Sequence, residues 1–395
     1  MIEGFAAALL LSVLLIRILI PLAVRVGFVD VPSVRKRHRG QIPLCGGLAI
    51  YAALLALWLI FPFWSEQNGA WLIALGFPLL LIGLADDRWN ISPAIRLLVE
   101  ICCSLFAVMY CGIRIDDIGH LLPGVGGTLV MLAIPMTVLG IVGGVNAMNM
   151  TDGVDGLAGG LALLTFAALA WLAFPSQPAV AQQLISFVAV MLGFLVFNSR
   201  FFGRERAAVF MGEGGVTFIG FAIVWYLILL SQGTGAVITP VSALWLFTVP
   251  LVDTMTIMAR RICRGQSPVT GDREHLHHIL LLAGYGKKRT VLVILSSHLF
   301  FIFCGMASIR FQVPSWITFG LFVGVFAIYY ASMSYAWKIM KKIKSFREWA
   351  GFEDRRNARA EKSPRRSGIT AAEIDFQFSS KNRRKMRDRR GEKGR

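Results

Sequence analysis

The chain has 395 residues, 56% of them hydrophobic, and a mean hydropathy of +0.64, which excludes an ordinary soluble domain and argues for a polytopic membrane protein. A net charge of +17 would suggest a nucleic-acid partner if it were spread over a soluble fold, but 20 of the 40 Lys and Arg lie from Lys338 onward, against eight Asp and Glu. A basic tail of that kind suits anionic lipids of the cytoplasmic leaflet, at roughly 1 kcal/mol per basic residue near the surface, and no nucleic acid is expected.

Apolar runs of about 17 to 22 residues, the length a bilayer requires, fall at 5–24, 45–63, 69–85, 94–112, 126–146, 156–174, 180–197, 215–232, 237–258, 290–308 and 315–337. They predict an all-α protein with about 11 transmembrane helices. The first run lacks a basic leader and a small-residue cleavage site, so it is read as a retained span. Connections after the first, third, fifth, seventh and ninth runs carry sixteen Lys and Arg; the others carry only Arg114 and Arg310. The positive-inside rule then places the N-terminus in the periplasm and the C-terminus in the cytoplasm. The predicted domains are a membrane-embedded unit over 1–345 and a basic, disordered cytoplasmic tail over 346–395. The six cysteines have no metal-binding spacing, and free buried thiols are expected.

Every polar constellation falls on the cytoplasmic side of this plan. Arg35-Lys36-Arg37-His38-Arg39 precedes the second run, as a topology signal or as a phosphate-facing surface. Asp86 and Asp87 end the third run at the negative end of a helix, where two carboxylates want a cation or an arginine. Ser92 and Pro93 then supply a cap and a first-turn residue for the next helix. Asn146, Asn149, Asp152 and Asp155 recur every three residues, which on a regular helix fans them over half the circumference. With Gly153 and Gly156 among them, the expectation is a turn or broken helix end whose oxygens converge on a hydrated cation.

Gly212-Glu213-Gly214-Gly215 leads into the eighth run. Its backbone N–H groups and positive dipole end suit phosphate, and Glu213 stands where it could hold a metal bridging such phosphates. Asp253 is an intramembrane carboxylate in the ninth run, either functional or paired with a neighbouring Arg. After it come Arg260, Arg261, Arg264 and Arg273, then His275, His277 and His278. Zinc is one reading of the three histidines, but their spacing does not place them on one helix face. Imidazoles among arginines make better donors to phosphate and sugar oxygens. Together these parts suit Mg²⁺-assisted phosphoryl transfer between a lipid-borne reactant and a soluble anionic one, with the active site on the cytoplasmic face.

Four stretches carry a resemblance: residues 30–38, 85–90, 146–157 and 272–278. Taken jointly, over residues 1 to 345, they resemble the polyprenyl-phosphate N-acetylhexosamine-1-phosphate transferases of the glycosyltransferase 4 type. Order and spacing are most similar to the bacterial branch that uses UDP-N-acetylglucosamine and undecaprenyl phosphate. The resemblance implies attack by undecaprenyl phosphate on the β-phosphate of UDP-N-acetylglucosamine. Undecaprenyl-diphospho-N-acetylglucosamine and UMP result, starting O-antigen or enterobacterial common antigen at the bacterial inner membrane. It implies Mg²⁺, with Mn²⁺ as an alternative. It assigns catalysis to Asp86, Asp87, Asp152 and Asp155, and metal binding to Asp87, Asn149, Asp152 and Glu213. Substrate contacts fall to Arg37, His38, Asn146, Asn149, Arg261, Arg273, His275, His277 and His278.

Two positions depart from the family pattern. Asn90 stands where close relatives carry a third Asp, and Gly212-Glu213-Gly214-Gly215-Val216 replaces Gly-Asp-Ala-Gly-Ser. Mg²⁺ demands near-ideal geometry, so the extra methylene of Glu213 leads us to expect a loosely held metal. The rival readings are a weakened paralogue that binds lipid phosphate or nucleotide as a regulator, a transferase for another UDP-N-acetylhexosamine, and a transporter.

Overall fold

The computed structural model describes residues 2–31, 40–61, 64, 67–124, 126–266 and 275–349. The chain divides into two compact units, Met1–Lys338 and Ile339–Arg395.

Backbone polar groups in hydrocarbon must be satisfied within their own segment, and each apolar run duly forms helix. In chain order these are α1 (Ile2–Arg25), α2 (Gly46–Ile60), α3 (Gln67–Trp89), α4 (Pro93–Tyr110), α5 (Ala133–Thr151), α6 (Leu157–Ala173) and α7 (Pro178–Asn198). Then come α8 (Gly212–Ser231), α9 (Pro240–Leu246), α10 (Thr248–Cys263), α11 (Leu276–Leu282), α12 (Lys287–Arg310) and α13 (Ser315–Trp349). Among the described residues, eight helices are long and apolar enough to cross a membrane, or nine if the bent pair α9–α10 counts as one span. The apolar helices α2 and α6 are shorter.

Two runs differ from their predicted form. The run at 237–258 is broken, with α9 and α10 meeting at 89° around Phe247. Pro250 gives the reason: in a continuous helix its ring would meet the carbonyl of Leu246, whereas in the first turn of a new helix its missing N–H costs nothing. The run at 126–146 turns helical only at Ala133, and its helix continues to Thr151.

The buried helix α8 is the axis of the bundle, packed against α2, α3, α5 and α6. A ladder of rings joins its neighbours: Phe187 stacks on Phe166 at 4.6 Å between centroids and meets Tyr226 edge-on at 5.8 Å. Glycines set how closely the helices approach. A side chain at Gly83 would collide with the backbone of Gly214, and one at Gly47 with Gly215. This contact carries the start of α8 up to the end of α3.

Before α2, the strands β1 (Val29–Asp30) and β2 (Ile42–Pro43) pair antiparallel, Val29 opposite Pro43 and Asp30 opposite Ile42. Phe210 N–H donates to the Pro43 carbonyl and Gly47 N–H to that of Met211, both at 2.8 Å. The base of the first polar loop is thereby fixed to the approach to α8. Arg37 and His38, in that loop, lie outside the described residues. All six cysteines are free as expected, but only Cys45 and Cys103 are buried; Cys111 and Cys304 are half-buried, and Cys102 and Cys263 are exposed.

Candidate active site

Asp86 and Asp87, at the end of α3, receive the positive partners their position demands. Arg96 Nη1 donates to Asp86 Oδ2 at 2.6 Å, and Arg96 Nη2 lies 3.0 Å from Glu213 Oε2. Asp87 Oδ2 accepts the backbone N–H of Glu213 at 3.0 Å. The positive end of α8, expected to receive a phosphate, is met here by a carboxylate of the protein. Gly212 has φ +75° and a Cβ there would press on Asp87 Oδ2, so glycine is required on both counts. Asn90 has φ +52°, a left-handed conformation that asparagine adopts more readily than most side chains. Ser92 Oγ then caps α4, accepting from Ile95 N–H at 3.4 Å.

The central polar motif breaks later than its sequence suggests. Asn146 and Asn149 remain in α5, and the chain turns only over residues 152–156. Gly156, at φ +86°, starts α6 with its N–H on Asn198 Oδ1 at 2.8 Å. Asn146 Nδ2 donates to Glu100 Oε2 at 2.7 Å, and Asn149 Nδ2 to Thr217 Oγ1 at 3.3 Å. Asp155 Oδ2 lies 2.7 Å from both Nε and Nη2 of Arg200, with Lys287 Nζ at 3.9 Å from its other oxygen. Asp152 sits exposed in the turn. Asn146, Asn149 and Asp155 thus reach partners on α4, α8, the segment after α7, and α12. Among the described residues, no three His, Cys, Asp or Glu side chains form a metal-binding group. Asn149 Oδ1 is nonetheless buried without a hydrogen-bond partner.

The histidine segment is held from beneath by Asp253 of α10, which is 3% exposed. Asp253 Oδ2 lies 2.9 Å from His275 Nδ1, and its Oδ1 accepts Leu276 N–H at 3.1 Å and the Tyr329 hydroxyl at 2.7 Å. The rings of His275 and His277 stack at 5.7 Å between centroids, and His277 and His278 lie 4.2 Å apart. His277 packs on Gly153, where any side chain would strike its Nε2. Burial, and then the neighbouring His278 and His275, push the His277 pKa down to about 3, so the ring is neutral near pH 7. Its Nε2 is buried with no hydrogen-bond partner. Arg260 and Arg261 are buried at the end of α10. Arg273 lies outside the described residues.

Sequence reasoning passed over Arg96, Glu100 and Tyr329, and counted Arg200 only as a topology signal. The first two did leave a trace: a charged pair four residues apart within the apolar run 94–112 lies on one helix face. Tyr329 left none, because its partner is 76 residues away.

The arrangement therefore sets an acidic pair, two amides, a neutral imidazole and several arginines around one end of α3, α5, α8 and α10. Such a set can neutralise and align phosphate-bearing reactants. The pattern of glycosyl transferase family 4 matches residues 70–231, from α3 through α8. A protein of Escherichia coli (strain K12) named undecaprenyl-phosphate alpha-N-acetylglucosaminyl 1-phosphate transferase is 34% identical over 324 residues, 82% of this chain and 88% of its own. The same name belongs to a protein of Haemophilus influenzae (strain ATCC 51907 / DSM 11121 / KW20 / Rd), 35% identical over 332 residues, 84% and 93% of the two chains. It belongs also to one of Yersinia pestis, 32% identical over 327 residues, 82% and 89%.

Proposed function

The chain belongs to glycosyl transferase family 4 and is a multi-pass phospho-sugar transferase, and from that membership we propose its particular reaction. It transfers N-acetylglucosamine 1-phosphate from UDP-N-acetylglucosamine to undecaprenyl phosphate. The products are undecaprenyl-diphospho-N-acetylglucosamine and UMP. The observation that carries this reading is the seating of His277 on Gly153, which joins two motifs some 120 residues apart into one site. In the bacterial inner membrane this would be the first lipid-linked step towards O-antigen or enterobacterial common antigen.

An oxygen of the lipid phosphate attacks the β-phosphorus of the donor. The bond from that phosphorus to the bridging oxygen breaks, and UMP leaves with the oxygen. A phosphate monoester with a second pKa near 6 is largely dianionic at neutral pH, so the attacking group needs charge neutralisation and alignment more than a strong base. Asp86 meets that need by holding Arg96, whose guanidinium also reaches Glu213. Neutral His277 can give or take a hydrogen bond at Nε2, with Asp253 fixing the start of its segment through His275.

The donor set fits a hard divalent cation in part. Asn149 Oδ1 is an unsatisfied buried acceptor, a state that costs about 1–3 kcal/mol until something coordinates it. With Asp87 and Asp152 it offers the oxygen ligands that Mg²⁺ or Mn²⁺ prefers. Glu213 is the exception, its carboxylate being on Arg96. When bound, such an ion would offset charge on the transferring diphosphate.

The test is UMP release by the purified protein with undecaprenyl phosphate, Mg²⁺ and a panel of UDP-sugars. UDP-N-acetylglucosamine should be preferred and UDP-N-acetylmuramoyl-pentapeptide refused. A preference for another UDP-N-acetylhexosamine would move the specificity elsewhere in the family, and no release from any donor would overturn the reaction.

A further inference from the structure

The segment after α7 and the first turn of α12 enclose an open cleft of about 660 Å³, lined by Arg200, Arg204, Glu205, Lys287, Lys288 and Arg289. Five of these six side chains are cationic. Asp155 draws on Arg200 and Lys287, which leaves Glu205 as the acid in the lining to balance the other three. Arg204 is held in place, its Nε on the Val196 carbonyl at 3.1 Å and its guanidinium 5.4 Å from the Phe197 ring centre. Three of the cations occupy the first turn of a helix, where the dipole adds to their mutual repulsion. Repulsion of this kind is relieved by an anion.

The positive-inside rule asks only that basic residues lie on one side of the membrane. It does not require segments more than 80 residues apart in sequence to converge on one cavity. The surroundings of the cleft select the anion. Phe201 and Phe202 are 47% and 55% exposed beside Arg200 and Arg204, and Leu282 and Tyr285 are 55% and 45% exposed just before Lys287. Exposed rings and aliphatic groups among cations, at the ends of membrane helices, match the boundary between headgroups and acyl chains.

We infer that this cleft, at residues 200–205 and 286–289, binds the phosphate of an anionic glycerophospholipid from the surrounding leaflet. The residues of the site belong to the unit Met1–Lys338. Because Asp155 shares Arg200 and Lys287 with the cleft, an occupant is within electrostatic reach of the turn at residues 152–156.

The test compares the full chain with the double variant Lys288→Gln/Arg289→Gln, neither residue being placed in the transfer site. Both proteins are purified in micelles doped with phosphatidylglycerol or phosphatidylcholine, and retained lipid is counted by native mass spectrometry. The full chain should retain phosphatidylglycerol at least about tenfold over phosphatidylcholine, and the variant should lose most of that preference. UMP release in phosphatidylcholine should be equal in the two proteins. Lipid retention does not depend on the transfer reaction, so it stands or falls apart from the proposed activity. Unchanged phosphatidylglycerol retention in the variant would overturn the inference. So would its displacement by excess inorganic phosphate, which would mark a general phosphate site. A raised donor KM in phosphatidylcholine would assign the cleft to the nucleotide-sugar and would equally overturn it.

Discussion

The backbone N–H of Glu213 donates to the Asp87 carboxylate at 3.0 Å, while the Glu213 side chain points to Arg96, 3.0 Å from its Nη2. Residue 213 thus serves the acidic pair twice, through its backbone to Asp87 and through Arg96 to Asp86. Its extra methylene gives a carboxylate reach towards the guanidinium. On the proposed reading, arginine and metal compete for this carboxylate. Glu213→Asp should shift that balance, lowering the divalent-ion concentration for half-maximal UMP release several-fold and raising turnover. A metal titration of both forms at saturating substrates decides; an unchanged midpoint with lower turnover would show that Glu213 belongs to Arg96 alone.

Asp86→Asn, Asp87→Asn and Asp152→Asn should each lower turnover by about tenfold or more, ~1.4 kcal/mol of barrier, with membrane insertion intact. Asp87→Asn should also cost about 0.3–1 kcal/mol of stability, because a neutral amide satisfies the positive end of α8 less well. UMP release and thermal melting in detergent measure both. Near-normal activity in all three variants would remove this face from the active site.

Asp253 ties α10, the histidine segment and α13 together through three hydrogen bonds. Asp253→Asn should reduce turnover about tenfold or more, since the amide cannot accept from His275 and Tyr329 in the same way. Tyr329→Phe should cost only about 1 kcal/mol of stability, the usual worth of one hydrogen bond, with turnover nearly retained. Equal loss of activity in the two variants would mean that Tyr329, too, is needed by the reaction.

The pKa of His277 falls from 6.5 to about 3 on burial. Below pH 6.5 the unfolded chain takes up a proton that the folded chain refuses, so stability is full above pH 6.5 and falls as pH drops towards 3. Between pH 7.5 and 5 this group should account for about 2 kcal/mol of lost stability. His277→Asn should flatten that part of the profile, as read by melting temperature at the two pH values. Parallel profiles would mean that the ring is more accessible to protons than its burial implies.

Truncation after Trp349 removes all but the first four residues of the basic tail and keeps α13 whole. Turnover in detergent should stay within about twofold, because the tail composition favours a solvated chain over a packed element. Abolished turnover in a well-folded truncation would reveal a functional element beyond residue 349.

Much of this protein was legible in sequence because membrane physics is local. A run of apolar residues must satisfy its backbone within itself, so each run could be read as helical along the chain, although the break within 237–258 and the late start at Ala133 could not. The acidic pair was legible for a similar reason: two adjacent carboxylates at a helix end announce a need for positive charge. Which positive charge answers was decided by tertiary packing. Glycine contacts from Gly83 to Gly214 and from Gly47 to Gly215 bring the start of α8 against α3, and only then can Asp87 find the Glu213 N–H. The spacing of Asn146, Asn149, Asp152 and Asp155 did not reveal that Asn146 would meet Glu100 or that Asp155 would meet Arg200. Spacing fixes the direction in which a side chain leaves its helix, while its partner depends on which neighbouring helix lies in that direction. The same holds for Asp253, whose partners His275 and Tyr329 come from segments that meet it only after α10 has turned 89° from α9. Sequence by itself determined helices, end charges and family, because these depend on near neighbours and on composition. The pairing of charges was left to the fold, because it depends on distances between segments that no local pattern encodes.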